Sequence, residues 1–313
     1  MEKLREEAHA MERLAHKHIL KLVGTYTVKR NELYILLYPV AVCDLSDFLQ
    51  DVVDIQSKTC ADQEDAFARL GQLGLKDIGT TEDLALLRSV PPQANATPRT
   101  AMALGFLQQT LGCITEALTF VHEQGIRHRD LKPKNILLSP GRVYLADFGI
   151  ARDVKENQDS ITDTREGTPS WLAPEVDEEE DHHMSSADVW SLGSIFLNVA
   201  AILYSQSLVE FRKIMKERDW KLKYEMLPTY LLNLEARATA AALENHNDPS
   251  FNAKHLVGLI KSMLKYKPGE RPTARQVNER LSELGGLDQI YHLSCCHKKN
   301  EYLSKVIRKF ARS

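Results

Sequence analysis

The sequence predicts an α+β protein, with a small strand-bearing portion at the N-terminus and a mainly helical body after it. Three observations carry this reading. The runs Ile19 to Val28 and Glu32 to Tyr38, joined by the polar turn Lys29-Arg30-Asn31, read as a β-hairpin. Thr100 to Gln124 has the apolar spacing of a long amphipathic helix and stops at Gly125. From Ser185 to Leu284 the pattern is mostly helical.

The elements follow in order. Glu2 to Ala15 reads as a helix, because Leu4, Ala8, Met11 and Leu14 recur at spacings of three and four. The hairpin comes next, and Pro39 blocks continuation of its second strand. Asp44 to Val52 looks like a short helix. Residues 51–100 hold Gly71, Gly74, Gly79, Pro91, Pro92 and Pro98, and read as a loop-rich insertion with helical turns near Asp62–Leu70 and Thr81–Leu87. After the long helix, Ile136-Leu137-Leu138 and Val143-Tyr144-Leu145 are short strands.

Composition narrows the classes. The chain has 313 residues, 43% apolar and 27% charged, as in a globular protein. A net charge of -3 gives no global attraction to nucleic acid or to an anionic membrane. The five cysteines are scattered, odd in number and without C-x-x-C spacing, so they are expected as reduced thiols in the cytoplasm or nucleus. The N-terminus is a charged helical pattern, not a signal peptide. The apolar stretch Leu192 to Val209 contains Ser194, Asn198, Ser205 and Gln206, and is expected as a buried core helix rather than a transmembrane segment.

The chemistry is concentrated in two motifs. His128-Arg129-Asp130-Leu131-Lys132-Pro133-Lys134-Asn135 fits H-R-D-L-x-x-x-N, and Asp147-Phe148-Gly149 follows it across a predicted hairpin. Further on come Gly167-Thr168-Pro169-Ser170-Trp171, Ala173-Pro174-Glu175, Asp188-Val189-Trp190-Ser191-Leu192-Gly193 and Arg271. On these residues the chain resembles a eukaryotic protein kinase. The resemblance covers roughly Glu2 to Leu284 apart from the insertion.

The resemblance implies a two-lobed kinase-like fold with a partial small lobe, the family's αC helix plus two strands, and a complete, mainly helical large lobe. It divides the chain into a kinase domain at 1–284, with a small-lobe remnant and hinge at 1–50, the insertion at 51–100 and the large lobe at 101–284. A basic extension follows at 285–313. The implied activity is phosphoryl transfer from Mg-ATP to protein Ser/Thr hydroxyls, which needs positioning and charge neutralisation more than covalent chemistry. Asp130 would accept the substrate's proton, and Lys132 would neutralise the moving phosphate. Asn135 and Asp147 would hold Mg2+ through hard oxygen ligands. Lys132 and Thr168 resemble the Ser/Thr form of the family, with Thr168 bonding Asp130 and Lys132.

ATP would meet the hinge backbone at Tyr38 and Val40, the ribose contact Asp44 and the adenine floor Leu137, with Leu37 as gatekeeper. Glu7 would be the αC glutamate. Met11, Leu22, His128 and Phe148 would stack as a spine between the lobes, and Gly149 closes the second motif. Asp188 would tie down the catalytic loop, and Arg271 would pair with Glu175. Arg129 implies control by a phosphate between Asp147 and Glu175, on Ser160, Thr162 or, by spacing, Thr164, placed there by an upstream activating kinase.

The pattern departs from the family at its start. A Gly-rich loop and a strand lysine belong upstream of Met1, and Gly71-Gln72-Leu73-Gly74 does not replace the loop. This implies a truncated form of a longer kinase, very weak or inactive as it stands. The alternative is a catalytically inactive kinase-like regulator or scaffold that binds a partner through its large lobe. Two smaller signals remain. His292, Cys295, Cys296 and His297 fit no common zinc spacing. The basic tail from Lys298 to Arg312, beside two cysteines, offers a contact with a membrane or, more simply, a face that packs on the large lobe or binds a partner.

Overall fold

A computed structural model describes residues 8–9, 11–28, 32–57, 63–75, 97–148, 152–153, 169–177, 184–244, 253–283, 287–292 and 295–296. Residues 8–9 and 11–12 are helical, and Ala8, Met11 and Leu14 are buried, as their spacing requires. Strand β1 (Lys21–Val28) pairs antiparallel with β2 (Glu32–Tyr38), with a bulge between Leu22 and Gly24. The chain just before β1 lies along the large lobe. Ile19 forms a parallel bridge to Leu145, and the Leu145 amide donates to the His18 carbonyl at 2.8 Å.

Strand β3 (Cys43–Asp44) leads into α1 (Leu45–Ser57), where Asp44 caps the helix by accepting from the Asp47 amide at 2.9 Å. The helix therefore runs five residues beyond the expected Val52, through the boundary drawn at 50. Helix α2 (Gln63–Gln72) is longer than the isolated turns the sequence suggested. Ala66, Leu70 and Leu73 recur at spacings of four and three and are buried, and Gly71 does not break the turn. A bidentate ion pair from Arg69 to the buried carboxylate of Asp51, at 2.5 and 2.8 Å, locks α2 onto α1. Thr81–Leu87 lies outside the described residues.

Helix α3 (Pro98–Glu123) begins two residues before the expected start. Thr97 is its N-cap, accepting from the Thr100 amide at 3.2 Å, and Pro98 sits at the first position, where its missing N–H costs nothing. Gly125 ends it with φ 82°. The expected amphipathic face is corrected, because α3 is buried on nearly every side from Thr100 to Val121. Its threonines satisfy themselves internally: Thr115 donates to the Leu111 carbonyl at 2.7 Å and Thr119 to that of Thr115 at 2.8 Å.

The remaining elements wrap this helix. Strand β4 (Ile126–Arg127) pairs with β7 (Arg152–Asp153), while β5 (Ile136–Ser139) sits between β3 and β6 (Arg142–Leu145) in an antiparallel sheet. A short helix α4 (Pro174–Asp177) precedes α5 (Met184–Leu203), the most apolar helix. The Ser185–Leu203 window is long and apolar enough to cross a membrane, but 89% of it is buried in the protein. Helices α6 (Leu208–Lys216), α7 (Trp220–Glu244), α8 (Ala253–Met263) and α9 (Ala274–Glu283) complete the body. The last described helix, α10 (Leu287–Ile290), packs on α3.

Candidate active site

Three backbone features build the site. The turn after β4 carries Arg129 at φ 69°, and the turn after β6 carries Asp147 at φ 63°. Both residues occupy the left-handed region without being glycine, a strain that persists only where the surroundings impose it. Between them, the Ala146 amide donates to the Asn135 carbonyl at 2.9 Å, which brings the start of β5 against the end of β6. Asp130, Lys132, Asn135 and Asp147 thereby share one locus.

Within that locus, Lys132 Nζ lies 2.5 Å from Asp130 Oδ2. Asn135 Nδ2 donates to the Asp130 carbonyl at 2.8 Å and to its Oδ2 at 3.2 Å. These donations fix the orientation of the Asn135 amide. The Asp147 side chain is exposed, whereas Phe148 beside it is buried. Phe148 packs on His128 with ring centroids 4.9 Å apart. His128 Nε2 donates to the Ala146 carbonyl at 3.0 Å, and burial holds the imidazole below its ordinary pKa.

Asp188, at the start of α5, clamps the loop. Its two oxygens accept from the amides of His128 at 2.9 Å and Arg129 at 2.8 Å. His122, on α3, adds a third contact at 2.8 Å. Burial works to raise the Asp188 pKa, yet these bonds together hold the carboxyl below the usual range. His122 was missed in the sequence. A histidine in the last turn of a helix is an ordinary feature, and only the fold brings it to Asp188.

Arg271 is the most completely bonded side chain of the region. It reaches both Glu175 oxygens at 2.6 and 2.8 Å and the carbonyls of Lys265, Ser186 and Tyr266 at 2.6 to 3.0 Å. Its guanidinium also lies over the Trp190 ring at 5.0 Å. Among the residues expected to meet the nucleotide, Leu137 is half-buried and in register with Asp44, while Tyr38 and Val40 are exposed. One oxygen of Asp44 is engaged in capping α1. Glu7, Gly149, Ser160, Thr162, Thr164 and Thr168 lie outside the described residues, as does the tail from Lys298.

The comparisons with known proteins agree with this geometry. The protein kinase domain family matches residues 94–281. CBL-interacting protein kinase 20 of Oryza sativa subsp. japonica is 31% identical over 211 residues, covering 59% of this chain and 45% of that protein. CBL-interacting serine/threonine-protein kinase 20 of Arabidopsis thaliana is 39% identical over 122 residues, 37% of this chain and 27% of that protein. Mitogen-activated protein kinase kinase kinase 1 of Arabidopsis thaliana is 38% identical over 148 residues, 42% and 24% respectively. The chain belongs to the protein kinase domain family. It spans less than half the length of each of these relatives.

Proposed function

We propose that this chain carries the active site of an ATP- and Mg2+-dependent protein serine/threonine kinase, with Asp130 as general base. The observation that supports it best is the Asp130 carboxylate, held between Lys132 and Asn135 on a loop whose backbone is clamped by Asp188. A carboxylate fixed in this way can take the proton of an incoming Ser or Thr hydroxyl. Lys132, paired with Asp130, would neutralise the transferred phosphoryl group.

The donor set at Asn135 and Asp147 suits Mg2+, since an amide oxygen and an exposed carboxylate are hard ligands at one locus. Bound there, the ion would neutralise the phosphates. Tyr38 and Val40 would offer backbone groups to adenine, Leu137 an apolar floor and Asp44 its remaining oxygen to the ribose. Thr168 would support Asp130 and Lys132. A cleft of about 230 Å3 opens beside Pro133, between Leu49, Trp171, Phe211 and Met215, and would seat the protein substrate near Asp130.

The test is phosphate transfer from Mg-ATP to a Ser/Thr peptide library, with nucleotide binding measured in parallel. Asp130→Asn should lower transfer by about 10²–10⁴-fold, the usual worth of a general base, and leave the fold intact by circular dichroism. Undetectable Mg-ATP binding at millimolar nucleotide would refute catalysis by this chain and favour a non-catalytic partner-binding module.

A further inference from the structure

We propose that His18, Cys113, Cys295 and Cys296 form a structural zinc site that fastens the C-terminal extension and the segment before β1 to helix α3. The four residues come from three stretches far apart in sequence, and all are buried. Their ligand atoms all lie within 4.8 Å of one another. The proposal stands apart from the kinase reading, since none of these residues belongs to the catalytic locus.

The geometry points to a tetrahedral metal. Zinc–sulfur bonds of about 2.3 Å at tetrahedral angles set sulfurs about 3.8 Å apart. The three sulfur pairs measure 3.6 Å for Cys113–Cys296, 3.8 Å for Cys113–Cys295 and 3.9 Å for Cys295–Cys296. A disulfide would need about 2.05 Å, so none of these pairs is crosslinked. The fourth corner is His18 Nε2, 3.0 Å from Cys296 Sγ.

The tautomer of His18 is fixed as a ligand requires. Its Nδ1 lies 2.8 Å from the Val143 carbonyl, which can only accept, so Nδ1 carries the proton and Nε2 turns its lone pair to the sulfurs. This second bond is the usual support of a metal-bound histidine. His292 supplies similar support, with Nδ1 3.3 Å from Cys113 Sγ, where an N–H would donate to a bound thiolate. The turn that presents Cys295 and Cys296 is closed by their amides donating to the His292 carbonyl at 3.2 and 2.9 Å.

The set is Cys3His, a common composition of closed structural zinc sites. Zn2+ would displace the thiol protons on binding, so that loading follows thiolate formation and couples to folding. The sequence spacing of His292, Cys295, Cys296 and His297 concealed this arrangement. His292 supports from outside the four, His297 lies outside the described residues, and the other two ligands are supplied by α3 and by the chain before β1.

The experiment is metal analysis of the full 313-residue chain, purified without chelator, by native mass spectrometry and elemental quantification. About one zinc per chain is expected. Cys113→Ser and His18→Gln should each lower it at least several-fold, while Cys43→Ser, outside the cluster, should not. Exchange with Co2+ should give the intense visible absorption of a tetrahedral thiolate site, a readout on the wild-type protein that stands even if a variant fails to fold. Less than about a tenth of a zinc per chain, a cluster found as a disulfide, or zinc retained in both folded variants would overturn the assignment.

Discussion

Arg271 shows how one side chain can be fully determined by its partners. A guanidinium has five N–H donors, and here each has an acceptor, two on Glu175 and three on backbone carbonyls. Arg271→Ala would leave the Glu175 carboxylate buried and unpaired, and should cost about 3–5 kcal/mol in urea unfolding. Arg271→Lys should recover only part of that loss, because an ammonium cannot reproduce the fork. His128 gives the second prediction at this scale. Burial pushes its pKa below the ordinary 6.5. The unfolded chain therefore takes up a proton that the native state refuses, so stability is fully present above about 6.5 and falls as the pH drops below it. His128→Phe, measured by thermal melting across this range, should show a shallower decline.

Among the elements, α3 and α10 meet at a glycine. A Cβ on Gly112 would stand 2.4 Å from the Tyr291 ring and 2.6 Å from the Ile290 carbonyl. The helix can carry the C-terminal segment at this distance only because that position has no side chain. Tyr291 is then held by its hydroxyl, which donates to Asn278 Oδ1 at 2.7 Å. Gly112→Ala should cost about 1–3 kcal/mol, the usual penalty of overpacking. Hydrogen exchange should show residues 287–292 losing protection before α3 does. An unchanged exchange pattern would mean that the segment docks independently of this contact.

Over the whole molecule, α5 is the axle. Phe196, Leu192, Leu197 and Val199 are fully buried in the core, with α3, α6 and α8 packed around them. Phe196→Ala should cost about 3–5 kcal/mol in chemical denaturation, the range for truncating a buried aromatic. The β1–β2 ribbon contrasts with this body. Val23, Tyr26, Tyr34, Leu36 and Tyr38 are exposed on it, with Tyr26 stacked on Tyr34 at 4.9 Å. Two strands alone are marginal in water. The ribbon should therefore exchange its amides faster than α3 or α5, and equal protection would show that it is stabilised by more than its own pairing.

The sequence by itself determined the family, the order of its motifs from His128 to Asp147 and the type of most elements. Those signals are local: a spacing, a cap or an alternation can be read within a few residues. It also announced the pairing of Glu175 with Arg271, but only through the family pattern. Other features required tertiary structure, because they depend on which faces are covered. Helix α3 carries polar residues that suggest a wet face, yet the C-terminal segment and the body bury it. Helix α2 was legible as turns near Asp62–Leu70, but its seating on α1 depends on Asp51 and Arg69 meeting from separate helices. His122 acquires a role only when α5 brings Asp188 beside it. The convergence of His18, Cys113, Cys295 and Cys296 joins residues up to 278 positions apart, a proximity that no sequence spacing encodes and only the packed chain can create.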